Sequence, residues 1–180
     1  MSPHAKLRVP VNDSDHVHGP KDAPIELVEY GDFQCPHCRQ AFPVLELLRE
    51  NLGNELRLVY RHFPITEVHP HALNAARAAE AAGRQGRFWE MHALLFKNQE
   101  ALDPDSLTGY AAALGLDMEQ WAGDSESDPV EAKIRADFQS GVRSGANGTP
   151  AFFLNGYRYD GDSDYASLLE AMHSTTYARA

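Results

Sequence analysis

Both cysteines of the chain fall within four residues, Cys35-Pro36-His37-Cys38, behind the strand-like stretch Ile25 to Tyr30 and ahead of a helical pattern. Two cysteines scattered at random over 180 residues would stand three apart only about one time in a hundred, so the spacing calls for a chemical reason. Three chemistries fit it. Cysteines at i and i+3 in the first turn of a helix can join as a small, strained disulfide and part again by thiolate attack. They can instead supply half of a zinc site, which needs two further ligands; His62, His69 and His71 are at hand, but no second Cys-x-x-Cys or regular His pair completes a known spacing. A purely structural disulfide is the third, and a loop this short leaves it nothing to staple.

The redox reading accounts for the residues between the cysteines. Pro36 suits the opening of a helix, because its missing N–H would be an orphan there anyway. Cys35 is thereby left at the N-terminus, with free backbone donors and the positive end of the helix dipole beside its sulfur. His37, if protonated, adds a second positive charge. Cys35 is therefore the expected exposed, attacking sulfur and Cys38, one turn inside, the resolving one.

Along the chain, residues 1–24 are polar and read as an irregular arm with a short edge strand near Leu7 to Val11. Ile25 to Tyr30 reads as a strand. The helix opened by Pro36 runs to about Asn51, with Gly53 as its stop and Phe42, Leu45, Leu48 and Leu52 on its buried face. Pro43 removes one backbone bond from it and is expected to bend it. Glu55 to Phe63 reads as a second strand, and the β-helix-β order implies parallel strands with a right-handed crossover, placing the helix start at the carboxyl edge of the sheet. From His69 to Ala146 the pattern is helical, with Val130, Ile134, Phe138 and Val142 spaced as one face of its last helix. Phe152-Phe153-Leu154, Asn155-Gly156 and Tyr157-Arg158-Tyr159 form a hairpin signal, and Asp162 to His173 a closing helix. The expected division is an arm at 1–24, a sheet domain at 25–64 and 147–176, and an inserted helical subdomain at 65–146. Gly148-Thr149-Pro150 is either an ordinary turn or a strand entrance whose proline can be cis and expose backbone to an extended peptide.

With 43% hydrophobic residues the chain can bury a core as one domain carrying an insertion. Sixteen basic against 26 acidic residues give a net charge of −10, which argues against nucleic acid or an anionic membrane as partner. No apolar run approaches membrane-spanning length, and Met1 to Gly19 has no apolar core of the kind a secretory signal needs, so the expected location is cytoplasmic.

Taken together, these segments resemble the DsbA-like thiol-disulfide oxidoreductases of the thioredoxin superfamily over roughly residues 16–174. The closest stretches are Glu29-Tyr30-Gly31-Asp32-Phe33-Gln34-Cys35-Pro36-His37-Cys38, Arg61-His62-Phe63-Pro64 and Gly148-Thr149-Pro150-Ala151-Phe152-Phe153. The resemblance implies an α/β thioredoxin-like fold with an all-helical insertion between the second strand and the C-terminal β-hairpin. It implies Cys35 as nucleophile, Cys38 as resolving cysteine, Pro36 and His37 as the dipeptide that tunes them, and a cis Pro150 against the disulfide with Thr149 offering backbone bonds to substrate. Glu29 matches the buried acid that in this superfamily lies under the resolving cysteine and relays its proton; an exposed strand residue is the plainer alternative. For that acid's basic partner Arg61 and His62 are the candidates.

The implied activity is disulfide exchange with protein or peptide thiols, with glutathione or a thioredoxin-type protein as redox partner and no cofactor or metal. Its direction is open. A DsbA-type couple near about −120 mV would be over a thousandfold reduced in a cytosol near about −220 mV, so dipeptide and expected compartment pull opposite ways. A peptide-binding chaperone or redox sensor using the Thr149-Pro150 surface is the alternative, and a metal-binding module a third.

Overall fold

The computed structural model describes residues 5–174, so the first four residues of the expected arm and positions 175–176 of the expected sheet domain lie outside it. Five strands make one sheet: β1 (His16–His18), β2 (Ile25–Gly31), β3 (Leu56–His62), β4 (Ala151–Leu154) and β5 (Tyr157–Tyr159), in the order β1-β3-β2-β4-β5. β2 and β3 are parallel and every other pairing is antiparallel. All seven residues of β2 are buried, as expected of a strand covered on both faces.

The helix α1 (Pro36–Leu52) makes the crossover between β2 and β3, running through Pro43 and stopping at Gly53, whose φ of +51° is cheap only for glycine. Five helices then separate β3 from β4: α2 (Ala72–Gly83), α3 (Phe88–Lys97), α4 (Pro104–Ala113), α5 (Met118–Ser125) and α6 (Asp128–Arg143). Asp103 and Asp117 cap α4 and α5 by accepting the amides of Ser106 and Gln120. Asn155 and Gly156, both at positive φ, turn β4 into β5, and α7 (Tyr165–His173) closes the chain behind its cap Asp164. The result is an α/β thioredoxin-like fold with a helical insertion.

Strand alternation sorts the sheet into two faces. Ile25, Leu27, Leu56, Leu58, Phe152 and Leu154 pack with Leu45 and Leu48 of α1 and Leu168 and Met172 of α7. On that same face, further along the strands, His16, Tyr60 and Glu29 lie in one row across β1, β3 and β2. Val28, Tyr30, Val59, Ala151 and Phe153 form the other face, where Phe138 of α6 and Leu7 and Val11 of the arm pack.

Two expectations are corrected here. The edge strand forms at His16–His18, not near Leu7 to Val11, where Lys6 makes only an isolated bridge to Tyr157. Pro10 has no amide to give a ladder, and the Arg61 guanidinium takes the carbonyls of Val9 and Pro10. In α6 the buried face runs through Val130, Ile134, Asp137, Ser140 and Gly141, leaving Val142 53% exposed. Polar contacts set that rotation: Asp137 accepts the His62 amide, and the Ser140 hydroxyl meets the Tyr30 hydroxyl at 2.7 Å. Gly141 lies so close to Phe63 that a Cβ would stand 2.7 Å from its ring.

Arg61 holds the arm to the sheet. Buried on β3, it grips both oxygens of Asp15 at 2.8 Å and also donates to the Tyr30 hydroxyl. Burial alone would raise the Asp15 pKa, but the guanidinium overcomes it and holds the carboxyl below its usual value. Its stabilisation is therefore complete above the ordinary carboxylate range and is lost as pH falls through the lowered folded pKa. Arg61→Ala strands a buried carboxylate and is expected to cost about 3 kcal/mol in urea unfolding at neutral pH, shrinking toward acid; a loss below about 1 kcal/mol would show that the pair does not secure the arm.

Candidate active site

Cys35 occupies the N-cap of α1 at φ −73° and ψ 124°, with Pro36 in the first helical turn and no side-chain cap bond. The loop before it is built around Asp32, which is buried. Its carbonyl accepts the Cys35 amide, one carboxylate oxygen accepts the Gln34 amide, and the other accepts the Ile65 amide and faces His69 Nδ1 at 2.8 Å. From the turn that follows α3, the Gln99 side-chain amide donates to the carbonyls of Phe33 and Cys35 at 2.8 and 2.9 Å. Strand, loop and insertion thus converge on one cysteine.

Both cysteines are thiols, and both are covered: Cys35 is 4% exposed and Cys38 fully buried, so the open exposure expected of the attacking sulfur is not found. Pro36 and His37 are exposed. The two thiols differ sharply in acidity. A hydrogen bond from the Cys38 thiol does most to hold the Cys35 pKa down to about 5; burial opposes it, and the Thr149 hydroxyl and the backbone amides of Cys38 and His37 add to the depression. Cys38 is pushed well up, first by burial and then by donating a hydrogen bond to the Cys35 sulfur. His37 contributes through its backbone amide.

Glu29 is buried on β2, and its carboxyl pKa is pushed up to about 8, chiefly by burial and then by the negative charge at Cys35. Its charge in turn raises Cys38. Neither residue considered as its basic partner fills that role. Arg61 faces the other side of the sheet, bound to Asp15, and His62 is turned to Glu80 at 2.8 Å. Glu29 Oε1 has no hydrogen-bond partner among the described residues.

Over the sulfur lies the loop entering β4. The Thr149–Pro150 peptide is cis, and the Thr149 carbonyl stands 3.4 Å from Cys35 Sγ, close enough to accept from the neutral thiol. The Thr149 hydroxyl is buried without a partner among the described residues, which leaves it free to turn to the ionised sulfur. Beside this loop opens a cavity of about 290 Å³ lined by His37, Thr149, Pro150, Phe152, Arg158 and Asp160. The zinc arrangement at the cysteines is not assembled: His62 and His69 are engaged as above, the His71 amide donates to the Gln34 side chain, and no group of three ligand-type side chains among the described residues includes a cysteine.

Asp32 and Gln99 were not singled out from sequence. Asp32 follows a glycine at a strand end and reads there as ordinary loop chemistry. Gln99 stands 64 positions from Cys35 in a polar stretch, and nothing in its local pattern points to the loop it holds.

Comparison with known proteins places this geometry. The family described as Thioredoxin matches residues 11–174. A thioredoxin-like oxidoreductase from Silicibacter pomeroyi is similar at 31% identity and a TM-score of 0.80, over 89% of this chain and 91% of that one. Oxidised BdbD from Bacillus subtilis shares the fold at 20% identity and a TM-score of 0.81, over 94% of this chain and 96% of that one. Among curated proteins, the Na(+)/H(+) antiporter NhaA 1 of Salinispora arenicola is 46% identical over 93% of this chain, which spans 26% of that protein's length. The matched family, with the insertion between β3 and β4 and the Cys-x-x-Cys pair at the start of α1, assigns the chain: it belongs to the thioredoxin family.

Proposed function

We propose that this domain exchanges disulfides with protein substrates through Cys35 and Cys38, and that its chemistry favours oxidation of substrate dithiols. A substrate thiolate attacks Cys35 Sγ of the protein disulfide, the bond between the two cysteines breaks, and Cys38 leaves with the electron pair. The buried Cys38 thiolate takes a proton from Glu29, whose raised pKa keeps it protonated at neutral pH. A second substrate thiolate then attacks the substrate sulfur of the mixed disulfide and expels Cys35 as a thiolate. Substrate leaves with one disulfide, and the protein holds two more electrons. Thr149 and Pro150 flank the path to Cys35, with the adjoining cavity available to the residues around the substrate cysteine.

The observation that carries this reading is the split between the thiols, Cys35 held near 5 and Cys38 driven well above its ordinary value. A stabilised thiolate favours the reduced protein and makes the disulfide an oxidant. Equilibration of the Cys35–Cys38 couple with glutathione buffers is the test. A potential nearer about −120 than −270 mV is expected, together with thiolate absorbance that titrates near 5. A thiolate that appears only near about 8.5 would remove the basis of the mechanism.

The curated relatives carry an antiporter name and much greater length. Ion transport needs membrane-spanning segments, and among the described residues no helix is long and apolar enough to cross a membrane. We therefore assign thiol exchange, and not antiport, to this domain.

A further inference from the structure

We propose that His16, His62 and Glu80 form a binding site for a zinc-type divalent transition-metal ion, separate from the cysteine pair. The three side chains come from β1, β3 and α2 and meet at one point: Nε2 of His16 and of His62 stand 2.6 and 2.8 Å from the same oxygen of Glu80. Among the described residues they are the group of ligand-type side chains close enough to share an ion, their donor atoms lying within 4.8 Å of one another. Glu80 and His62 side chains are 8% and 1% exposed, His16 18%.

Charge and donor chemistry both point to a cation. Glu80 is a largely buried carboxylate, and its ion-pair partners among the described residues are these two imidazoles, with no lysine or arginine. A carboxylate withdrawn from water needs compensating positive charge, which a bound divalent ion supplies in full. Two imidazole nitrogens and one carboxylate oxygen suit zinc, cobalt, nickel or copper, whereas calcium and magnesium prefer all-oxygen shells.

The seat permits the required adjustment. Ligand atoms about 2.0–2.2 Å from a tetrahedral ion stand roughly 3.4 Å apart, so the hydrogen-bonded contacts to Glu80, at 2.6 Å from His16 and 2.8 Å from His62, have to open by roughly 0.6 to 0.8 Å. His16 is the member able to yield, since it lies on a three-residue edge strand and is partly exposed. Its ring rests flat on Phe88, centroids 3.5 Å apart, and Gly83 leaves it space, because a Cβ there would stand 3.1 Å from its Cε1. The ion enters past His16, and water completes its shell on that side.

Cobalt(II) titration of the Cys35→Ser/Cys38→Ser chain, followed by its ligand-field absorption and by displacement with zinc, tests the site without thiol ligands. One saturable ion per chain is expected, with zinc raising the melting temperature. His16→Gln keeps an N–H donor for Glu80 but lacks the imidazole lone pair, and Glu80→Gln keeps an acceptor but loses the anion. In whichever variant remains folded by circular dichroism, affinity should fall roughly tenfold or more. Absence of saturable binding in the doubly substituted chain, or undiminished affinity in a folded variant, overturns the proposal; neither outcome bears on disulfide exchange.

Discussion

Cys35→Ser is expected to abolish disulfide exchange, and Cys38→Ser to halt turnover with the substrate still attached. The difference follows from how unequally the fold treats two chemically identical groups. Removing Cys35 leaves a fully buried Cys38 whose thiol is held protonated, so no nucleophile remains. Removing Cys38 keeps Cys35 at the helix end with a hydroxyl in place of the thiol that donates to it, so it still forms the mixed disulfide but has nothing to release it. Insulin-disulfide turnover should drop to the uncatalysed level in both variants. Covalent adducts, read by mass under non-reducing conditions, should accumulate in Cys38→Ser alone. Turnover surviving in Cys35→Ser, or equal adduct formation by both, would refute the division of roles.

What could be read in the sequence was what depends on neighbours along the chain. Ile25 to Tyr30 announces a strand between the loop residues that flank it, Pro36 a helix start, Gly53 a helix stop and Asn155-Gly156 a tight hairpin, and each signal acts within a few residues. The β-helix-β order and the two cysteines then follow without long-range information. Contacts between distant segments did not follow. Arg61 as a partner for Glu29 is excluded by strand register: Glu29 pairs with Tyr60, Arg61 with Tyr30, and a single residue's step along a strand moves a side chain to the opposite face. The α6 face failed for a related reason. Apolar spacing favoured Val142, but Asp137 and Ser140 turn inward because the His62 amide and the Tyr30 hydroxyl require partners. Charge at Cys35 shows the same limit. The dipole argument could be made from Pro36 alone, whereas the leading contribution, the Cys38 thiol, and the Thr149 hydroxyl over 110 residues away needed the fold.

Glu29→Gln is expected to make the reduced protein more stable and a slower catalyst at once. Burial lifts the Glu29 carboxyl to about 8, against an ordinary value of 4.5. The folded protein therefore keeps a proton that the unfolded chain releases across this interval. Between about 4.5 and 8 the unfolded state binds fewer protons than the folded one, so stability is greatest below 4.5, declines as pH rises, and levels off above about 8. Glutamine cannot ionise and is spared this decline. By pH 8 it should unfold with a gain on the order of 4 kcal/mol over the parent, and that gain should vanish by pH 4. In exchange, however, Gln can neither give a proton to Cys38 nor take one from it, and turnover at neutral pH should fall roughly 10²-fold. Urea unfolding of both reduced proteins across this pH range gives the first quantity, and stopped-flow exchange with a model peptide gives the second. Parallel stability curves would mean that Glu29 titrates normally despite its burial. Diverging curves with unchanged turnover would leave a buried acid that the cysteines do not use.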